Sequence, residues 1–278
     1  MHGLILCVRI YIMITAAKNL IESELDIIKD NISKSSVKLP YGKLIRSRTG
    51  LLVIKAMGLV CNETYLKFLT AAELIHNASL LHDDVIDNEE TRRDKKTLNY
   101  ETNNKTAVLS GNLVLTEALE NILSTGSVKL LSIANSAVKN MCRGELMQKE
   151  QEFKIPKLEQ YIEKTKLKTG TLFMSLMEGI SEISQCGYKD ELISFGENFG
   201  IAFQIQNDLK NISGSDLKNG IYTAPIIFSQ STDIKEQALK KTSELINEYV
   251  AKAENALEFL SQSEYKDALI GAAECLKS

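Results

Sequence analysis

A single all-α domain is the fold class this chain predicts, and three observations carry the prediction. Apolar residues recur at helical spacing along most of its length, as at Ile21, Leu25, Ile28 and Ile32. Only three prolines occur, Pro40, Pro156 and Pro225, so long helices can run uninterrupted. No stretch shows the alternation and turn signals of hairpin strands. With 278 residues and 44% apolar content, the chain can bury a substantial core. No linker, low-complexity segment or short-period repeat divides it, so residues 1–278 are expected to form one domain.

The elements follow in order. Ile21 to Ile32 reads as a first helix, broken by Ser33 to Pro40. Gly42-Lys43-Leu44-Ile45-Arg46 opens a second helical stretch, which runs through Leu51 to Val60 and closes near Cys61-Asn62. A third helix is predicted from about Glu63 to Asp87. Asn88 to Lys105 is polar and reads as a long loop, a type more often functional than idle. Helices are predicted over Val108–Leu123, with Gly126 as a stop, and over Ser127–Gln151, Leu158–Ile183 and Lys189–Asn211. Asn211 to Tyr222 is a loop rich in Gly, Ser and Asn. Thr223 to Ser229 then resumes an apolar run, with Pro225 in its first turn. Two or three amphipathic helices are predicted between Lys235 and Lys277.

Composition narrows the function classes. A formal net charge of −3 gives no footprint for nucleic acid. The five cysteines, Cys7, Cys61, Cys142, Cys186 and Cys275, are scattered without metal-ligand or redox spacing, which predicts free thiols in a reducing compartment. Only His2, His76 and His82 are present, too few for a multi-histidine zinc site. Met1 to Ala17 is apolar but interrupted by His2 and Arg9, so no integral membrane segment is predicted. A start at Met13 would leave residues 1–12 as an extension outside the domain.

The chemistry concentrates at Leu80-Leu81-His82-Asp83-Asp84-Val85-Ile86-Asp87, with Arg92 and Arg93 just beyond. On a helix, Asp83 and Asp87 share a face about 6 Å apart along the axis. Two carboxylates at that spacing suit a hard divalent cation such as Mg²⁺, which also accepts phosphate oxygens. Guanidinium forks match the same phosphates. A Mg²⁺-bridged phosphate or diphosphate site is one reading of this stretch, and a solvated acidic helix end is the other. His76 lies seven residues before Asp83, two turns along the same face. A second polar strip, Gln204, Asp208 and Asn211 with Asn207 alongside, falls on one face of the helix from Lys189, where solvent exposure is the simpler explanation. Lys43, Arg46 and Lys168 complete the basic candidates.

These residues bring the chain to a family. From about Gly42 to Pro225 it resembles the trans-isoprenyl diphosphate synthases, or polyprenyl synthetases. The stretch Glu73 to Asp87 with Arg92-Arg93 is similar to their first aspartate-rich motif. Gly42-Lys43-Leu44-Ile45-Arg46 is similar to their homoallylic-diphosphate motif, with Ser47 where proline is usual. Ser110-Gly111-Asn112, Gly144-Glu145-Leu146, Lys168-Thr169-Gly170 and Gly200–Gln204 follow where the family has short signatures. Ser215-Asp216-Leu217-Lys218-Asn219-Gly220 and then Thr223-Ala224-Pro225 resemble the late loop.

The resemblance implies an antiparallel helical bundle around a central cavity, of isoprenoid synthase type. It implies a Mg²⁺-dependent prenyltransferase that condenses isopentenyl diphosphate with an allylic diphosphate. Metal would be held by Asp83 and Asp87, with Asn207 and Asp208 from the second motif. Catalysis would rest on Asp83, Asp84, Asp87, Arg92, Lys168 and Gln204. The allylic diphosphate would meet Arg92, Lys168, Thr169, Gln204 and Lys218, and isopentenyl diphosphate would meet Lys43, Arg46, His76 and Arg93. Small Ala78 and Ser79 before the first motif leave the chain-length pocket open, which implies a product of geranylgeranyl length or longer. The run Asn219 to Phe228 is similar to long-chain synthases of cyanobacteria and plastids. A homodimer in the cytoplasm is expected, or in the plastid stroma for an algal source.

Two departures keep alternatives open. The second motif reads Asn207-Asp208-Leu209-Lys210-Asn211, so amides replace two of three carboxylates and metal there would be held less tightly. Ile221 stands where a lysine is often found, which weakens the assignment of Lys218. A low-activity or regulatory subunit of a heteromeric synthase is therefore a second reading. A class I terpene cyclase is a third, although Asn211 and Ser215 stand where its metal motif has serine and glutamate.

Overall fold

The computed structural model describes residues 18–277, apart from 41, 93–94, 213–216 and 218. The expectations for residues 1–12, Arg93, Ser215, Asp216 and Lys218 lie outside the described residues. Twelve α-helices and one two-stranded ribbon follow along the described chain: α1 (Lys18–Ser33), α2 (Ile45–Ala56), α3 (Glu63–Ile86), β1 (Thr91–Arg92), β2 (Lys95–Lys96), α4 (Leu98–Glu101), α5 (Asn104–Leu123), α6 (Val128–Glu150), α7 (Leu158–Thr165), a π turn (Lys166–Gly170), α8 (Thr171–Ser184), α9 (Lys189–Lys210), α10 (Ala224–Ser229), α11 (Glu236–Asn255) and α12 (Glu264–Glu274).

The helix ends follow local chemistry. Asn62 caps α3 by accepting the Tyr65 amide at 3.2 Å. Asn103 caps α5 through the Thr106 amide at 2.9 Å, and Ser127 caps α6 through Leu130. Pro225 sits in the first turn of α10, where its missing N–H costs nothing.

Two expectations change. The polar stretch from Asn88 is not one loop: β1 and β2 pair antiparallel, with Thr91 opposite Lys96, and α4 follows. Strands of two residues are too short to print an alternation in the sequence. The helix predicted over Leu158–Ile183 is broken by the π turn, in which one extra residue loops into the ladder. That turn carries Lys168 and Thr169.

Helix α3 lies against α5, while α9 packs on α8 and α11. The core between them is aromatic and aliphatic. Phe173, Phe195 and Phe199 are fully buried, and Phe173 meets Phe199 edge to face at 5.4 Å. No helix among the described residues is long and apolar enough to cross a membrane.

Candidate active site

A cavity of about 650 Å³ opens at the C-terminal ends of α3 and α9 and the N-terminal side of the π turn. Asp83 and Asp87 from α3 line it, as the one-turn spacing predicts. Arg92 from the ribbon, Lys168 and Thr169 from the π turn, and Gln204, Asp208 and Asn211 from the α9 end line it too. Asp87 ends α3, its amide donating to the Asp83 carbonyl at 2.8 Å, so both carboxylates issue from the last turn.

The ribbon is tied down by the two residues Thr97 and Asn99 that follow it. The Thr97 amide donates to Glu90 at 3.0 Å, and the Thr97 hydroxyl donates to the Glu89 carbonyl at 2.6 Å. The Asn99 amide bridges the Asp84 and Glu89 carbonyls. Arg92 thereby reaches back to α3, and its Nε donates to Asp84 Oδ1 at 2.6 Å. Asp84 is buried in this pair and is not among the residues lining the cavity.

Two glycines let the walls close. A Cβ on Gly144 of α6 would lie 2.5 Å from the Lys168 backbone nitrogen. One on Gly200 of α9 would lie 2.8 Å from Gly170 Cα. Both signatures therefore mark backbone approach to the π turn. Lys168 pairs with Glu145, which is next to Gly144.

The electrostatics follow from this burial. Burial pushes the Asp83 carboxyl up to about 6, with Glu145 and Asp87 adding to the rise and Lys168 and Arg92 opposing it. Burial works against the Lys168 ammonium, but Glu145, Asp83 and Asp87 outweigh it and the group is raised. On α9 a hydrogen-bonded chain runs Thr169 hydroxyl to Gln204 Oε1 at 2.9 Å, then Gln204 Nε2 to Asp208 Oδ1 at 2.7 Å. The Tyr161 hydroxyl donates to the other Asp208 oxygen at 2.7 Å. Tyr161 is fully buried, and burial and Asp208 together raise its phenol well above the ordinary value.

The remaining sequence-predicted residues fall elsewhere. Lys43, Arg46 and His76 are not among the lining residues, and neither are Ala78, Ser79 and Asn207. Arg46 is buried over the Phe173 ring, 5.1 Å from its centre, and lies near Glu73. Burial raises the Glu73 carboxyl, with Arg46, Ser47 and Arg48 opposing. The Ser47 amide donates to Glu73 at 2.9 Å, a bond that a proline at this position could not make. Ala78 is packed in the core, and the Ser79 hydroxyl donates to the His76 carbonyl.

Sequence reasoning missed Glu89, Thr91, Gln148, Lys164, Thr165 and Thr223, all of which line the cavity. Lys164 carried one signal: it precedes Lys168 by four residues, the spacing of one helical face.

The donor set is one of carboxylate, amide and hydroxyl oxygens with ammonium and guanidinium groups between them. Asp83 and Asp87 fit a hard divalent cation, and the cations fit phosphate oxygens. Fold and cavity together define an all-α protein whose cavity gathers two helix-end carboxylates with ammonium and guanidinium groups. The polyprenyl synthetase family model matches residues 29–260, and the chain belongs to that family. A decaprenyl-diphosphate synthase of Dictyostelium discoideum is 32% identical over 267 residues, covering 82% of this chain and 58% of that protein. The mitochondrial solanesyl-diphosphate synthase 1 of Oryza sativa subsp. japonica is 29% identical over 280 residues, covering 84% of this chain and 62% of that protein. The chain thus spans about three fifths of the length of these curated relatives. In fold it is similar to a polyprenyl synthase from Caulobacter crescentus CB15, solved with calcium and isoprenyl diphosphate. The TM-score is 0.87 at 23% identity, over 95% of this chain and 98% of that one.

Proposed function

We propose that the chain is a trans-prenyltransferase that condenses isopentenyl diphosphate with an allylic diphosphate, giving a polyprenyl diphosphate of geranylgeranyl length or longer. The observation that carries this is the convergence of Asp83, Asp87, Arg92, Lys168, Thr169 and Gln204 on one cavity in a polyprenyl synthetase chain. The relatives named decaprenyl and solanesyl diphosphate synthases support the long-chain end of that range.

In this reading Asp83 and Asp87 hold Mg²⁺. The bound ion would neutralise the departing diphosphate and so favour ionisation of the allylic C–O bond. Lys168 and Arg92 place positive charge on the same diphosphate, where charge develops as the bond breaks. Asp84 acts as a positioning residue, fixing the Arg92 guanidinium through its Nε. Thr169 and Gln204 orient the diphosphate oxygens. Isopentenyl diphosphate is assigned to Lys43, Arg46, His76 and Arg93. Its double bond attacks the allylic cation, and a proton is then lost to the diphosphate leaving group. The buried aromatic and aliphatic core keeps water from trapping the cation.

The second copy of a homodimer is assigned to the exposed apolar strip of α5, which carries Leu109 and Leu113. Cys61, Cys142, Cys186 and Cys275 form no disulfide among the described residues, which fits a reducing compartment, cytoplasm or plastid stroma. One observation favours a second reading, a subunit that needs a partner for full activity: both oxygens of Asp208, the lone carboxylate of its motif, are already hydrogen-bonded.

The test is incubation of the purified chain with Mg²⁺, an allylic diphosphate and labelled isopentenyl diphosphate. Elongated product is expected. No product from the chain alone, with activity on adding a second synthase subunit, would favour the partner-dependent reading.

A further inference from the structure

We infer that Lys164 is a diphosphate-binding residue, a direct cation on the wall where α7 meets the end of α9. The inference rests on the diphosphate reading of the cavity and adds a residue to it. Lys164 is only 5% exposed, yet it lines the cavity. A lysine withdrawn from water to that degree is uncommon, because the ammonium loses hydration that the protein must replace. Its Nζ lies 4.9 Å from the centre of the Tyr161 ring, whose face favours a cation. The same tyrosine donates its hydroxyl to Asp208. The ring that takes the ammonium on its face thus carries the hydroxyl that holds Asp208, and both Lys164 and Asp208 line the cavity.

The neighbouring donors explain why a cation stands there. A wall that recruits a divalent ion needs carboxylate oxygens. Here Asn207 and Asn211 are amides. Asp208 already accepts from Tyr161 and from Gln204. The α9 end thus offers weak ligation to a metal, while Lys164, close to it in the same lining, supplies fixed positive charge. A lysine needs no ligands of its own and binds phosphate as a point charge. On this wall the protein uses an ammonium where a fully acidic motif would use a further metal ion. Asp83 and Asp87 would hold their own ion on the α3 side.

The experiment is calorimetric titration of the purified chain with inorganic pyrophosphate, with Mg²⁺ and without it. Lys164→Met is expected to weaken pyrophosphate binding about tenfold to a hundredfold under both conditions, the loss of one charge-assisted contact. Lys164→Arg is expected to stay within a few-fold of the parent. Asn211 is exposed at the cavity rim, so Asn211→Asp tests the idea even if Lys164→Met does not fold. Asn211→Asp should weaken binding without Mg²⁺ and recover with it. Unchanged pyrophosphate affinity in a folded Lys164→Met, or an unchanged Mg²⁺ dependence in Asn211→Asp, overturns the assignment. Loss of binding in Lys164→Met from a parent that forms no elongated product would uphold Lys164 and remove the elongation reading alone. Normal binding in Lys164→Met from a parent that elongates would do the reverse.

Discussion

The Tyr161 hydroxyl donates to Asp208 at 2.7 Å inside the bundle, and that bond commits an oxygen of the lone carboxylate in the second motif. Tyr161→Phe keeps the ring and removes the donor. Asp208 then keeps the hydrogen bond from Gln204 and loses the one from Tyr161. A buried acceptor left short of a donor costs about 1–3 kcal/mol. Urea unfolding should show a loss of that size. Pyrophosphate binding with Mg²⁺ should fall less than in Asp83→Ala, because the bond holds a wall and does not touch the ligand. A variant as stable as the parent would mean that the bond contributes nothing net.

Asp83 shows the opposite economy, a charge kept at the expense of folding. Its carboxyl in the folded chain is pushed up to about 6, above the ordinary 3.8. The stability contributed by its protonated form is complete below the ordinary value and is lost as pH rises through about 6. Asp83→Asn carries no charge at any pH. In metal-free buffer it should be more stable than the parent at pH 7.5, by on the order of 1 kcal/mol after allowance for partial exposure. The difference should shrink as pH falls from 6 toward 4. Elongation should drop by about a hundredfold or more, since the metal site loses an anionic ligand. Thermal melts at several pH values, with and without Mg²⁺, check both halves. A Mg²⁺-dependent rise in Tm as large as the parent's would remove Asp83 from the metal site.

Gly144 and Gly187 make a matched pair. A Cβ on Gly144 would meet the Lys168 backbone nitrogen at 2.5 Å, an atom that cannot swing away. Around Gly187 nothing lies within 4 Å of the added carbon. Gly144→Ala should cost about 1–3 kcal/mol and should also weaken pyrophosphate binding, because the shift falls on the turn that carries Lys168 and Thr169. Gly187→Ala should stay within about 0.5 kcal/mol of the parent. Equal effects in the two variants would show that the π turn tolerates displacement.

The legible part of the molecule was the part written in side-chain period. Helix α3 was predicted from Glu63 to Asp87 and runs Glu63–Ile86, because its apolar content and Asn62 cap are local signals. Asp83, Asp87, Arg92, Lys168, Thr169, Gln204 and Asp208 were picked out by motif order, and one cavity collects them. The missed parts depend on register and on tertiary approach. A π turn inserts a residue that no propensity marks, so the predicted helix from Leu158 ran straight through it. The ribbon Thr91–Lys96 is set by the Thr97 amide on Glu90 and the Thr97 hydroxyl on Glu89, bonds across the turn that no side-chain period marks. Lys164 sits in the run Glu163-Lys164-Thr165-Lys166, which reads as a solvated helix face until Tyr161 and α9 are brought beside it. Asn207 shares its helix with Gln204 and Asp208 but not the cavity, because one residue of offset turns a side chain by about 100°.

Product length is the last expectation that a substitution can reach. Ser79 precedes Asp83 by four residues and so shares its helix face one turn back, about 6 Å along the axis. Ala78 beside it is 2% exposed, packed in the core between the helices. A growing chain that passes along α3 away from the diphosphate must pass both. Ala78→Phe and Ser79→Phe should each stop the product at least one isoprene unit earlier than the parent, because a benzyl group fills the path. The Ala78 variant should also lose about 1–3 kcal/mol through overpacking, and the half-buried Ser79 variant less. Chromatography of the dephosphorylated products reads the length directly, and denaturant unfolding reads the packing cost. Full-length product from both variants, each folded, would place the hydrocarbon path along another wall of the bundle.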